Sequence, residues 1–174
     1  ITSSIGLVGA SMGGGIAMKL ARSPHAKINR VLLLSPAGVT GKETPIPPPL
    51  DALGVCFLKQ GFVREDLCRK AFSNPNDAGL AEKQIASIHL NVPGWRSSLA
   101  AFARGGGIAN CGLPIPPQPI NILWGANDKI LNDKLKKDCM DLLCCPSKEI
   151  EDCGHLPHID KPQIVSDYCS QVFN

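Results

Sequence analysis

Ser11, Asp128 and His155 are the side chains whose types and order in this sequence could run a nucleophilic displacement. Ser11 stands in Gly9-Ala-Ser-Met-Gly13, a Gly-x-Ser-x-Gly between an apolar run and a helical pattern. In that setting the pentapeptide reads as a nucleophile elbow, a strained strand-to-helix turn that lifts the hydroxyl clear of the chain. Crowding at such a turn requires small residues two places before and after the serine, and Gly9 and Gly13 supply them. A helix opening behind Ser11 puts a partial positive charge where an oxyanion would form, and the Met12 amide is the natural donor to it. A dinucleotide turn is excluded because it needs glycine where Ser11 stands, and a phosphate loop because no Gly-Lys-Ser/Thr follows. Taken alone, the pentapeptide also allows a glycine-rich turn with an incidental serine.

A serine hydroxyl is a poor nucleophile without a base, and the base needs an orienting acid. The elbow mechanism takes them in the chain order Ser, acid, His. Asp128 closes Trp124-Gly-Ala-Asn-Asp128 and His155 closes Asp152-Cys-Gly-His155, each just past a strand pattern. By itself Asp128 reads equally well as a turn or cap residue, and His155 as a structural imidazole. Their joint placement on the carboxyl side of consecutive strands gives them roles as acid and base, since ligands bind there in open α/β sheets. His158 is the nearest rival base, but packing suits it better. His25 reads as solvated and His89 as at most a pocket wall. Of the rival acids, Asp133 fits a surface helix start and Asp160 a helix cap.

These residues need a scaffold. Ile5–Gly9, Val31–Leu34 and Ile120–Trp124 are apolar runs expected of buried parallel strands, while Ser147–Asp152 is polar and suits a sheet edge. Ile16, Ala17, Leu20 and Ala21 share one helical face, with Lys19 and Arg22 on the other. Leu135, Cys139, Leu142 and Leu143 form a second face, and Ile164, Val165, Tyr168 and Val172 a third. The last helix is expected to start on Asp160 as cap, with Pro162 in the first turn and Gln163 in capping-box spacing. Strands alternating with helices predict a parallel α/β sheet. Residues 42–94 break the pattern: Pro45 and Pro47–Pro49 lead into helical stretches near Leu50–Lys59, Arg64–Phe72 and Leu80–His89. The expected organisation is therefore core at 1–41, helical lid at 42–94 and core again at 95–174. Trp95–Arg104 is the helix that returns to the core. Phe57, Phe62, Val63, Leu67 and Phe72 of the lid are expected to line an apolar pocket.

Composition narrows the partners. Of 174 residues, 44% are hydrophobic and 19% charged, the balance of one globular domain with a real core. The net charge of +3 is dispersed, and Lys134, Lys136 and Lys137 alternate with Asp133, Asp138 and Asp141, so no nucleic-acid face is expected. The eight cysteines include no Cys-x-x-Cys pair and no His at zinc spacing, so no structural metal is expected, and the expected serine chemistry calls for no cofactor. Reduced thiols and an intracellular location follow from their low density and apolar settings. The run from Ile5 to Leu20, broken by Gly and Ser, is neither a signal peptide nor a membrane span.

The stretches Leu7-Val-Gly-Ala-Ser-Met-Gly-Gly14, Val31-Leu-Leu-Leu-Ser-Pro-Ala-Gly38, Ile122-Leu-Trp-Gly-Ala-Asn-Asp128 and Gly154-His-Leu-Pro-His-Ile-Asp-Lys-Pro162 resemble the α/β-hydrolase superfamily, in the branch with a helical lid. The resemblance covers the whole chain, most loosely in the lid. It implies an α/β-hydrolase fold with nucleophile Ser11, acid Asp128, base His155 and one oxyanion donor at the Met12 amide. Ala10 stands where many relatives have His, which leaves the mechanism untouched. Family members carry several strands and a second oxyanion donor before the elbow. This chain, which opens at Ile1 without an initiator Met, is therefore expected to be the C-terminal part of a longer protein. As given, its elbow strand would expose an apolar edge. Serine in place of aspartate as nucleophile disfavours the haloalkane dehalogenase and epoxide hydrolase kinds. Hydrolysis of a small carboxylic ester or thioester is the expected reaction. Carbon–carbon hydrolysis of a diketone is an alternative, with Arg64, Arg69 or Arg96 holding a substrate carboxylate. A non-catalytic ligand-binding protein is another.

Overall fold

The structure is a computed structural model and describes residues 5–24 and 27–174, so His25 lies outside the described residues. Four strands form one parallel sheet in the order β1 (Ile5–Ala10), β2 (Ile28–Leu34), β3 (Ile120–Gly125) and β4 (Ser147–Ile150). Strand β2 lies inside the sheet, and its alternate side chains enter two different cores. Val31 and Leu33 pack with Ile122 and Trp124 under α1 (Met12–Ala21) and α6 (Asp133–Leu143). Leu32 and Leu34 pack with Leu123, Ile150 and Cys153 under α8 (Pro162–Phe173). A strand covered on both faces must be apolar throughout, which is why Val31–Leu34 is unbroken. Each such buried side chain contributes roughly 1.5–3 kcal/mol relative to exposure.

The register matters more than the strand count. Ala10 pairs with Leu34, Leu34 with Leu123, and Gly125 with Ile150, so the strands finish at one common edge. The segments after β1, β3 and β4 all leave the sheet there.

Helix α1 packs through Gly14, Gly15, Ala17, Met18 and Ala21. Ile16 and Leu20, expected on that buried face, are exposed instead, as are Ile5 and Val8 on the outer strand β1. The small residues bring the helix in close on their own side and turn the larger pair outward. Gly14 and Gly15 approach Pro36, Ala37 and Ile108, in the loop after β2 and a distant connector, instead of strand β1. Arg22, expected in solvent, donates to the carbonyls of Cys111 and Pro114 at 2.8 and 3.0 Å and so anchors the second proline-rich connector.

Between β2 and β3 lie α2 (Leu50–Leu58), α3 (Gly61–Lys70), α4 (Leu80–Ile88) and α5 (Trp95–Arg104). Helix α5 was expected to rejoin the core, yet its main packing partner is α2. A charge pair joins the two helices: Arg104 donates to the buried Asp51 carboxylate at 2.5 Å. Ile46 N–H to the Ala103 carbonyl (3.0 Å) adds to the same junction. The helical layer thus runs through α5. A short helix α7 (Pro157–Asp160) precedes α8, whose N-terminus has no side-chain cap. Asp160 and Gln163 do not form the expected capping box. Gln163 bonds Asp167, and Asp160 has two other partners, described below.

Candidate active site

Strand β1 ends at Ala10 and α1 begins at Met12, so Ser11 alone makes the turn, at φ 49° and ψ −124°. A non-glycine residue at positive φ is strained and persists only where its surroundings enforce it. Here the Ser11 N–H donates to Leu34 O at 3.0 Å, and its carbonyl accepts from Gly14 and Ala37, both at 2.8 Å. Gly9 is sterically required, because a Cβ there would sit 2.5 Å from the Gly13 carbonyl and 2.7 Å from the Ala17 methyl. Gly13 is different. A Cβ at that position would meet nothing within 4 Å among the described residues, so the crowding expected there is absent. Met12 opens the helix, leaving its N–H without an acceptor one turn back.

The three candidate side chains meet at the common sheet edge. His155 Nε2 lies 2.7 Å from Ser11 Oγ, and His155 Nδ1 lies 2.9 Å from Asp128 Oδ2. The imidazole and the carboxylate are both buried. Asp128 Oδ1 accepts from the amides of Ile130 (2.8 Å) and Leu131 (3.0 Å), so the carboxylate is fixed on both oxygens. His158 makes no bond to Ser11 and is exposed. Partial desolvation of its ring by the surrounding protein nonetheless pushes its pKa down, and the neighbouring His155 adds to that. Asp133 is the exposed first residue of α6.

Burial by itself would raise the Asp128 pKa. The imidazole and the two amides outweigh it and hold the carboxyl below the ordinary aspartate value. A depressed carboxylate pKa contributes stability above the unfolded-state value, and that contribution disappears as pH falls through the folded value. The stability gap between the parent and Asp128→Asn should therefore narrow on acidification below about pH 4. Urea denaturation midpoints of both proteins across a pH series measure it; a constant gap would contradict the assignment.

A family model described as the alpha/beta hydrolase family matches residues 2–168. The chain belongs to that family. It is 26% identical over 175 residues to the alpha/beta hydrolase domain-containing protein VTE7 of Arabidopsis thaliana, covering 94% of this chain and 53% of the relative. This α/β hydrolase chain thus spans about half the length of that relative. Among solved structures, a serine hydrolase of the bacterium Cycloclasticus zankles superposes with a TM-score of 0.73 at 19% identity, over 98% of this chain and 64% of that one. The 2-hydroxy-6-oxo-6-phenylhexa-2,4-dienoate hydrolase of a Rhodococcus gives 0.69 at 17%, over 98% and 64%. A thermophilic esterase of Thermogutta terrifontis gives 0.67 at 20%, over 98% and 66%. At these identities the structural likeness carries the fold.

In this α/β hydrolase a cavity of about 630 Å³ lies between the helical layer and the sheet edge. Met12 and Leu156, the sequence neighbours of Ser11 and His155, line it together with Ile159. Leu67, Phe72 and Leu99 are among the residues of its walls. Of the lid residues expected there, Leu67 and Phe72 line it and Val63 is buried elsewhere. Phe57 and Phe62 point outward, edge to face at 6.3 Å from each other. His89 lines the cavity and packs on Trp95 at 5.1 Å. Arg64 also reaches it, while Arg69 pairs with Glu65 and Arg96 contacts Cys56. Among the described residues no cluster of His, Cys, Asp or Glu could hold a metal, and no helix is long and apolar enough to cross a membrane.

Near the site, Ser73 escapes the sequence reading, and Asp160 enters it only as a rival acid or helix cap. Ser73, just past α3, and Asp160 both bond to the loop that carries His155 or to the loop that carries Asp128. No local motif marks either one.

Proposed function

We propose that the chain supplies the catalytic residues of a serine hydrolase that cleaves carboxylic esters of modest size through an acyl-enzyme. The observation that carries this reading is the continuous relay Ser11–His155–Asp128, whose neighbours in sequence, Met12 and Leu156, line an apolar cavity. Ser11 Oγ attacks the ester carbonyl while His155 Nε2 takes its proton. Asp128 holds Nδ1–H, which fixes the tautomer and stabilises the imidazolium as it forms. The Met12 N–H at the α1 terminus donates to the oxyanion. His155 then returns the proton to the leaving alcohol, and water repeats the sequence on the acyl-enzyme. The acyl or alcohol group lies against Leu67, Phe72 and Leu156. Residues 42–94 act as the lid in this reading, with α5 packed on it through α2, and the core comprises the rest.

Carbon–carbon hydrolysis uses the same relay, and Arg64 on the cavity wall brings a cation near a substrate carboxylate, although that guanidinium already donates to Ser87 Oγ and to the Leu58 and Lys59 carbonyls. Glu82 on the same wall opposes it, because an anionic substrate would meet both charges. A neutral aryl ester should therefore be turned over in preference to an anionic diketone. A fluorophosphonate probe tests the core of the proposal. It should label Ser11 covalently and spare the Ser11→Ala variant; ligand binding without labelling would favour a non-catalytic binding protein.

A further inference from the structure

We propose that Asp160 and Ser73 are positioning residues, a clamp between the helical layer and the two loops that carry the acid and the base. This inference rests on the hydrolase reading above. Asp160 Oδ2 accepts two backbone N–H groups, from Gly154 at 2.6 Å and from Ser73 at 3.0 Å. One carboxylate oxygen therefore ties the residue preceding the base to a segment that is 81 positions away in sequence from it. Ser73 in turn holds the acid loop. Its hydroxyl accepts from Asn127 Nδ2 at 2.8 Å, and its carbonyl accepts from Lys129 Nζ at 3.0 Å, on either side of Asp128.

The backbones close the same circuit. His155 N–H donates to the Ala71 carbonyl at 2.8 Å, and Asn127 N–H to the Cys153 carbonyl at 2.8 Å. The packing leaves no slack. A Cβ on Gly154 would collide with the Ala71 carbonyl and come within 2.7 Å of the Ser73 nitrogen. Segment 71–73 is thus a strap lying across both loops. Ala71 and Phe72, its first two residues, are also walls of the cavity. The strap that sets the spacing between acid and base is in contact with whatever fills the pocket.

Hydrogen bonds to a charged acceptor are roughly twice as strong as neutral ones, so a carboxylate suits a clamp of two amides. Its job is geometric. Misplacing a catalytic group by about 1 Å can cost on the order of 100-fold in rate. Asp160→Ala should lose 10- to 100-fold in kcat per titrated Ser11, with KM for a neutral ester held within about two-fold. Asp160→Asn keeps an oxygen that can accept both amides and should recover most of that loss. Ser73→Ala loses only the Asn127 bond and should cost less, with an effect non-additive with that of Asp160→Ala.

Counting sites with the fluorophosphonate probe separates slow sites from missing ones. A drop confined to the number of labelled sites, with kcat per site unchanged, would make Asp160 merely structural and overturn the clamp. An activity-independent reading is the far-downfield NMR resonance of the proton between His155 and Asp128. It should broaden or vanish in Asp160→Ala and return in Asp160→Asn. If the resonance and kcat per site both match the parent, the clamp is wrong although the hydrolase reading stands. If the parent itself neither labels nor turns over ester, the hydrolase reading fails, and the resonance still decides whether Asp160 orders the relay.

Discussion

Ser11→Ala should lower ester turnover by about 10⁴-fold or more while its urea midpoint stays close to that of the parent. The size of the loss follows from the roles of the relay. With no nucleophile, the imidazole 2.7 Å away has no hydroxyl to deprotonate, and only binding and oxyanion contacts remain. The small effect on stability follows from position. Ser11 is held at φ 49° by its backbone bonds to Leu34, Gly14 and Ala37, none of which uses the hydroxyl. His155→Ala should fall to a similar rate, and the double variant should be little worse than either, because residues that act as a unit are non-additive. Steady-state kinetics on an aryl ester provides the measurement. Retained turnover in Ser11→Ala would dismiss the mechanism.

Gly125→Ala should be severe for a different reason. Gly125 ends β3, and a Cβ there would strike the carbonyls of both Gly154 and Cys153 in the loop that leads to His155. Those are backbone atoms packed between the strap and the sheet, so no side chain can swing aside. Overpacking of a rigid site costs about 1–3 kcal/mol, and this contact lies at the upper end. Turnover should fall along with stability, because the loop that must yield carries the base. Gly13→Ala is the matched control. Its added methyl meets nothing within 4 Å among the described residues, and alanine favours the helix, so its denaturation midpoint should not fall. Equal midpoints for the parent and Gly125→Ala would contradict the packing described here.

The juxtaposition of Ser11, Asp128 and His155 was legible because parallel strands deliver their following loops to one edge. Three chemically suitable residues after three strands need no contact map to be brought together. The strand Val31–Leu34 was legible for a similar reason, since burial on both faces leaves no other composition. Helix faces were harder. Periodicity groups Ile16 with Ala17, Leu20 and Ala21, but close packing through Gly14, Gly15 and Ala17 chose the smaller side as the buried one. Asp160 was misread because a cap is a local pattern, while its actual partners, Ser73 and Gly154, are fixed by the tertiary fold. Phe57 and Phe62 were assigned inward on hydrophobicity alone, which does not decide which side of a helical layer faces the cavity. The destination of α5 rests on tertiary contacts with no local signature, such as Arg104 meeting Asp51, 53 positions away in sequence.

Ser11 and His155, the nucleophile and base of the proposed mechanism, are separated by 144 positions in the chain, yet share one hydrogen bond. The entropy of closing so long a loop must be met before that bond can form, which predicts a relay that forms late in folding and not in its nucleus. On the proposed mechanism, Ser11 is therefore an ordinary alcohol while the polypeptide emerges from the ribosome. Reactivity arrives only when β4 and the loop after it dock. Any event that strips away that final stretch would leave a body containing the hydroxyl and no chemistry.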